Sequence, residues 1–162
     1  MPPGPHDTTR DSQGFDESRN VVTDVLGKFV PQWLARRAIS VRVETDRETY
    51  RVGDPVEVTV TLRNGLPLPV TIATPRPRLW GWSVDGDLEA SDEQVYTGDA
   101  PGTLSFRAGE RKVISHTWDG RFKRVGDPTR WVEPEPGEHE VRAFLALDGD
   151  RPADAVTIRF EE

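Results

Sequence analysis

A chain of 162 residues has room for one domain with a core of its own and an additional segment. It contains no cysteine, which excludes disulfides, zinc-thiolate sites, iron-sulfur clusters and a thiol nucleophile. Its 28 acidic residues outnumber 21 basic ones for a net charge of -7, which argues against nonspecific attraction to nucleic acid or anionic lipid.

Residues 1–19 are polar, rich in Pro, Gly, Ser and Asp, and lack a hydrophobic period. Such a segment cannot offset the entropy of ordering, and a disordered tail is expected. It carries no cationic-then-apolar signal pattern, and nothing in the chain approaches about eighteen consecutive apolar residues. The expectation is a cytoplasmic protein. Residues 20–38 follow as an amphipathic helix behind the N-cap candidate Asn20, with Val21, Val22, Val25, Leu26, Phe29, Val30, Trp33 and Leu34 on one stripe. Pro31 is expected to end or kink this helix near Phe29 or Val30. Val22, Leu26, Phe29 and Trp33 make it a candidate docking helix, covered by its own domain, by a partner or second copy, or by a membrane surface.

From Ile39 the hydrophobic period changes to two. "ISVRVET" alternates Ile39, Val41 and Val43 with Ser40, Arg42 and Glu44; "VEVTVTL" alternates Val56, Val58, Val60 and Leu62 with polar residues; Val156, Ile158 and Phe160 repeat the pattern at the end. Each reads as a half-buried antiparallel strand. Turn signals recur between them, among them "RVGDP", "RNGLPLP", "VDGD", "RAGE", "WDG" and "EPGE". The fold class is therefore all-β, an Ig-like antiparallel β-sandwich of seven to nine strands over residues 39–162, preceded by one short amphipathic helix.

"ETYRVGDPVEVTVTLRNGLPLPVTI" resembles the opening hairpin of many bacterial and archaeal Ig-like modules. "TLSFRAGERKVISHTWDG" followed by "PGEHEVRAFLAL" is similar to the intracellular proteinase inhibitor family of BsuPI type, through Gly109-Glu110, Thr117-Trp118-Asp119-Gly120 and Pro136-Gly137. The resemblance spans roughly residues 39–160 and implies a non-enzymatic module that contacts another protein, in that family a protease. The chain departs from the family pattern in carrying "RPRLWGWSVDGD" in place of a Tyr-Asp pair and in inserting "RFKRVGDPTRWVEPE" before the return strand. Its acid-rich composition, with eighteen arginines against three lysines, resembles that of proteins from salt-loving organisms.

Within the insertion, Arg121 to Trp131 carries four basic residues and one acid, so this segment is +3 and the other residues total -10 against the overall -7. Arginine and tryptophan are enriched at binding hot spots, and long loops host recognition. Arg121, Lys123, Arg124, Arg130 and Trp131 are the candidate partner-binding residues. The alternative is a solvated hairpin whose cations pair with nearby acids and whose base is closed by Phe122 and Trp131. Trp80, Trp82 and Val84 alternate onto one face and read as core. At the Trp-Asp-Gly corner, Trp118 is in phase with Ile114 for burial, Asp119 can accept from turn amides, and Gly120 can take a positive φ.

No catalytic motif is present, and no cofactor is expected. His116 and His139 fall in phase with apolar neighbours on predicted strands. With Glu138 or Asp119 they could bind a metal; the other reading is histidines hydrogen-bonded to their neighbours. The acidic loops "DGDLEASDE" and "DGDRPAD" lack the glycine and glutamate of a calcium loop.

Overall fold

The computed structural model describes residues 30–149 and 151–162. Among the described residues, one helix, α1 (Gln32–Ala38), leads into twelve strand segments: β1 (Ile39–Thr45), β2 (Thr49–Arg51), β3 (Val56–Asn64), β4 (Val70–Thr74), β5 (Trp80–Val84), β6 (Asp87–Leu88), β7 (Gly102–Phe106), β8 (Arg111–Trp118), β9 (Phe122–Arg124), β10 (Arg130–Val132), β11 (Gly137–Leu145) and β12 (Ala153–Glu161). Eight of these have five residues or more, which agrees with the strand count read from the alternating pattern. A three-stranded sheet β1-β3-β8 faces a five-stranded sheet β2-β12-β11-β5-β6, and two-stranded ladders β4-β7 and β9-β10 complete the β-sandwich.

The core follows from the period of two. Val56, Val58, Val60 and Leu62 of β3 are buried on one face, and Val141, Ala143 and Leu145 of β11 with Ile158 and Phe160 of β12 are buried opposite them. At about 1.5–3 kcal/mol for each large aliphatic or aromatic side chain removed from water, these rows dominate the stability of the fold. Trp118 closes one end, its ring edge-on to Phe122 at 5.5 Å and to Phe160 at 5.9 Å.

Two polar devices shape the sheets. Asn64, fully buried, donates through Nδ2 to Leu68 O (2.8 Å) and Arg107 O (2.9 Å) and accepts from Leu66 N (3.0 Å). It thereby pins the point where the β3-β8 ladder gives way to the β4-β7 ladder, and no polar atom of the side chain is left without a partner. The second device lies where the chain crosses from β1 to β2 in the opposite sheet. The Tyr50 hydroxyl accepts from Arg47 N (3.0 Å) and donates to Asp46 Oδ1 (2.7 Å), which also accepts from Glu57 N (3.0 Å). The tyrosine hydrogen bond, aided by the Glu57 amide, holds the Asp46 carboxyl below its ordinary value. Because the chain changes sheets here, β2 runs parallel to β12, an exception to the otherwise antiparallel pairing expected from the sequence.

Pro31 is the N-cap of α1, and its carbonyl accepts from Leu34 N and Ala35 N; residues 20–29, where the sequence places the rest of the amphipathic helix, lie outside the described residues. Proline at a helix start loses no intrahelical hydrogen bond. Ala35 is buried against the sandwich, and Gln32 bonds both Thr71 O (2.9 Å) and Ala73 N (3.1 Å), which seals the outer edge of β4.

Candidate functional site

An open groove of about 680 Å³ runs between β5 of one sheet and β8 of the other. Its walls are aromatic: Trp80 and Trp82 from β5, His116 from β8, and Trp131 from β10. Trp82 and His116 meet across it with ring centroids 4.8 Å apart. Arg78, Glu89, Asp119 and Arg121 supply the polar rim, with Arg78 paired to Glu89 at 2.7 Å.

The local sequence explains this placement. Alternation along β5 turns Trp80, Trp82 and Val84 inward; Val84 and Trp82 are buried as the period predicts. Trp80 is only half-buried, because β6 extends the sheet beside Ser83 and Val84 and no further. Inward-facing Ile114 and His116 of β8 are likewise incompletely covered. The groove is thus the side of the sandwich that its own strands do not fill.

At its lower end the Trp-Asp-Gly corner is structural. Trp118 Nε1 donates to Arg121 O (2.8 Å), Asp119 Oδ1 accepts from Arg121 N (3.1 Å), and Gly120 adopts φ +72° with its missing Cβ facing the Asp54 carbonyl. The corner fixes Arg121 at the rim.

The insertion after the corner is the β9-β10 hairpin. It divides the five sequence candidates. Lys123 pairs with Glu93 (2.5 Å) and Arg124 with Asp87 (2.5 Å), so both hold the hairpin to the body of the domain. Lys123 also exchanges backbone bonds with Ala90 and Asp92. Arg121 and Trp131 line the groove. Arg121 and Arg130 pair with no carboxylate among the described residues. The expectation that Phe122 and Trp131 together close the hairpin base holds for Phe122 alone, which is buried; Trp131 is 57% exposed. Of the docking-helix candidates, Val22, Leu26 and Phe29 lie outside the described residues, and Trp33 stands on α1 with its ring largely in solvent.

The two histidines go separate ways. His139 uses both ring nitrogens, against Asp85 Oδ2 (2.6 Å) and Glu135 O (2.7 Å), and packs on Phe160. Neither nitrogen is available to a metal in this arrangement. Among the described residues no group of three or more His, Asp or Glu side chains gathers in metal-binding geometry, and no helix is long and apolar enough to cross a membrane.

What sequence reasoning missed is the edge of β8. Asn64 N bonds Glu110 O, and the register that follows gives the even-numbered residues of β8 to β3. The N–H and C=O groups of Val113, Ser115 and Thr117 therefore point away from the sheet. No strand or other backbone group among the described residues bonds them. On the opposite side of the sandwich, the corresponding outward amide of Val43 on β1 is taken by Asp154 Oδ2 (2.9 Å) from β12.

Fold and groove together define a β-sandwich domain with one lateral side closed and one open. The chain belongs to a family of unknown function (DUF7974), whose pattern residues 27–161 match. No curated protein matches. Among solved structures it is similar to the sporulation control protein Spo0M of Bacillus subtilis (15% identity, TM-score 0.47, 77% of this chain and 50% of that one). It is also similar to a CARDB domain from Pyrococcus furiosus (14% identity, TM-score 0.44, 76% and 94%). A β-glucosidase of Listeria innocua matches at 15% identity and TM-score 0.44, with this chain covering 75% of itself and 16% of the enzyme. The chain thus spans half of Spo0M and a small part of the glucosidase.

Proposed function

We propose that this chain is a non-enzymatic protein-binding module of the cytoplasm, which engages another protein through the groove between β5 and β8. The single observation that carries the reading is the rim. Arg121 without a carboxylate partner and Trp131 with its ring in solvent stand together at an unfilled aromatic groove. An exposed, unpaired guanidinium beside indole faces, which a partner would desolvate on binding, is the composition of interface hot spots. A solvated surface hairpin has no need of either.

The likeness to BsuPI-type inhibitors through the Gly109-Glu110, Trp118-Asp119-Gly120 and Pro136-Gly137 turns gives the reading a finer form: the bound protein is a protease, whose cleft is occupied by a rigid segment and not turned over. Rigidity is consistent with the anchoring of the β9-β10 hairpin by Lys123 and Arg124. An acid-rich composition that resembles that of salt-adapted proteins fits a contact that relies on aromatic area more than on screened charge.

The test uses the full chain immobilised in cell extract at matching salt, with captured protein identified by mass and then bound as a purified component. Arg121→Glu and Trp131→Ala each weaken that binding by tenfold or more, about 1.4 kcal/mol, with unchanged melting. Binding by both variants equal to that of the parent, or turnover of substrate by the purified chain, overturns the reading. If the captured protein is a protease, added chain lowers its cleavage of casein; undiminished cleavage removes the inhibitor form and leaves the binding form.

A further inference from the structure

The outer edge of β8 carries a ligand requirement of its own. The outward N–H and C=O groups of Val113, Ser115 and Thr117 repeat every second residue, about 6.8 Å apart along the strand. Only an extended chain matches donors and acceptors at that spacing. Elsewhere the domain covers comparable groups: Asp154 takes the Val43 amide on β1, and Gln32 takes Thr71 O and Ala73 N on β4. Uncovered strand edges are a hazard that folded domains suppress, so one left open beside an aromatic groove is a site with a use.

We propose that the bound segment is an extended peptide of a partner protein that adds to β8 as a further strand of the β1-β3-β8 sheet. This deepens the protein-binding reading above and rests on it. Side-chain alternation then dictates the peptide's chemistry. Every second residue of the added strand lies on the inner face, beside Ile114 and His116 and over Trp82 and Trp131, and is apolar or aromatic. The intervening residues lie beside Val113, 55% exposed, and Thr117, and are β-branched or polar. Arg121 at the lower end, unpaired in a chain of net charge -7, selects a carboxylate on the peptide there. Main-chain bonds supply affinity and the groove supplies selectivity, as in other strand-addition complexes.

The probe is a peptide chosen from a displayed library of linear nine-residue sequences on the full chain, then synthesised. Three readouts follow. Selected sequences carry apolar or aromatic residues at alternate positions and an acidic residue near one end. Amide exchange at Val113, Ser115 and Thr117 slows at least tenfold when the peptide is bound. Ser115→Pro weakens binding about tenfold, the loss of one main-chain bond. Its outward N–H serves no ladder bond, and proline is tolerated on such an edge; Val113→Pro gives the same test at a second position.

Loss of binding in Arg121→Glu and Trp131→Ala, with Ser115→Pro and Val113→Pro binding like the parent and the three amides unchanged, overturns strand addition while the groove reading stands. Failure of any peptide to enrich, or binding unaffected by all four substitutions, overturns both.

Discussion

The two lateral sides of this sandwich have grooves of the same size, about 680 Å³ each, and opposite character. The β1-β12 groove is lined by Ser40, Arg42, Glu44, Thr45, Glu48 and small apolar residues, and Asp154 ties its two strands together by accepting from Val43 N. The β5-β8 groove is lined by four tryptophans and a histidine, and no hydrogen bond of that kind joins its strands among the described residues. A carboxylate on an edge amide is a stopper; an indole beside a bare edge is an invitation. The difference between the sides, more than the volume of either, locates the site.

The largest effects come from residues that hold β8 in place. Gly120→Ala puts a Cβ 2.2 Å from the Asp54 carbonyl at a φ of +72°, and denaturant titration is expected to show a loss of about 4 kcal/mol. Asn64→Ala leaves a cavity at a fully buried position and strips two part-buried carbonyls and one amide of their partner, for about 3 kcal/mol by the same measurement. A loss below about 0.5 kcal/mol for either would break the claim that this edge is held rigidly.

Asp154→Ala opens the closed side. It is expected to cost about 1.5 kcal/mol and to cause concentration-dependent self-association by light scattering, since β1 then has an exposed edge. A protein that stays monomeric at all concentrations removes the stopper role from Asp154.

Acid acts on the other end of the closed side. The Asp46 carboxyl titrates below its ordinary value when folded, so the stability it contributes is present above the unfolded value near pH 4 and is lost as the pH falls through the lower folded value. Asp46→Asn should flatten the melting temperature against pH in that acid window and leave the profile above it parallel to the parent's. A steeper acid limb in the variant would reverse the assigned sign. The smallest effect is Trp131→Ala, whose exposed ring contributes within about 0.5 kcal/mol to stability; a larger loss makes it a structural residue and not a binding one.

Much of this was legible in the amino-acid order, for a physical reason. Inward Val56, Val58, Val60 and Leu62 announce a strand locally, and the Trp118 corner depends on neighbours within three residues. Edge coverage is not local. That Asp154 reaches Val43, 111 positions away, or that Lys123 and Arg124 meet Glu93 and Asp87, follows from the order of strands in the sheets, which the period of two does not encode. The charge excess of Arg121 to Trp131 therefore marks the β9-β10 hairpin without separating the anchoring cations from the groove rim. The helix shows the same limit: Pro31 punctuates the chain, but that α1 starts behind it follows from packing, with Ala35 buried against the sandwich.

Hydrogen exchange of the unliganded chain, read residue by residue by nuclear magnetic resonance, tests the open edge most directly. An open edge predicts an alternation along β8, with Lys112, Ile114 and His116 strongly protected by their bonds to β3 and Val113, Ser115 and Thr117 exchanging orders of magnitude faster, while Val43 on β1 is protected by Asp154. Equal protection of odd and even residues along β8 would mean that this edge is already covered and has no place for an added strand.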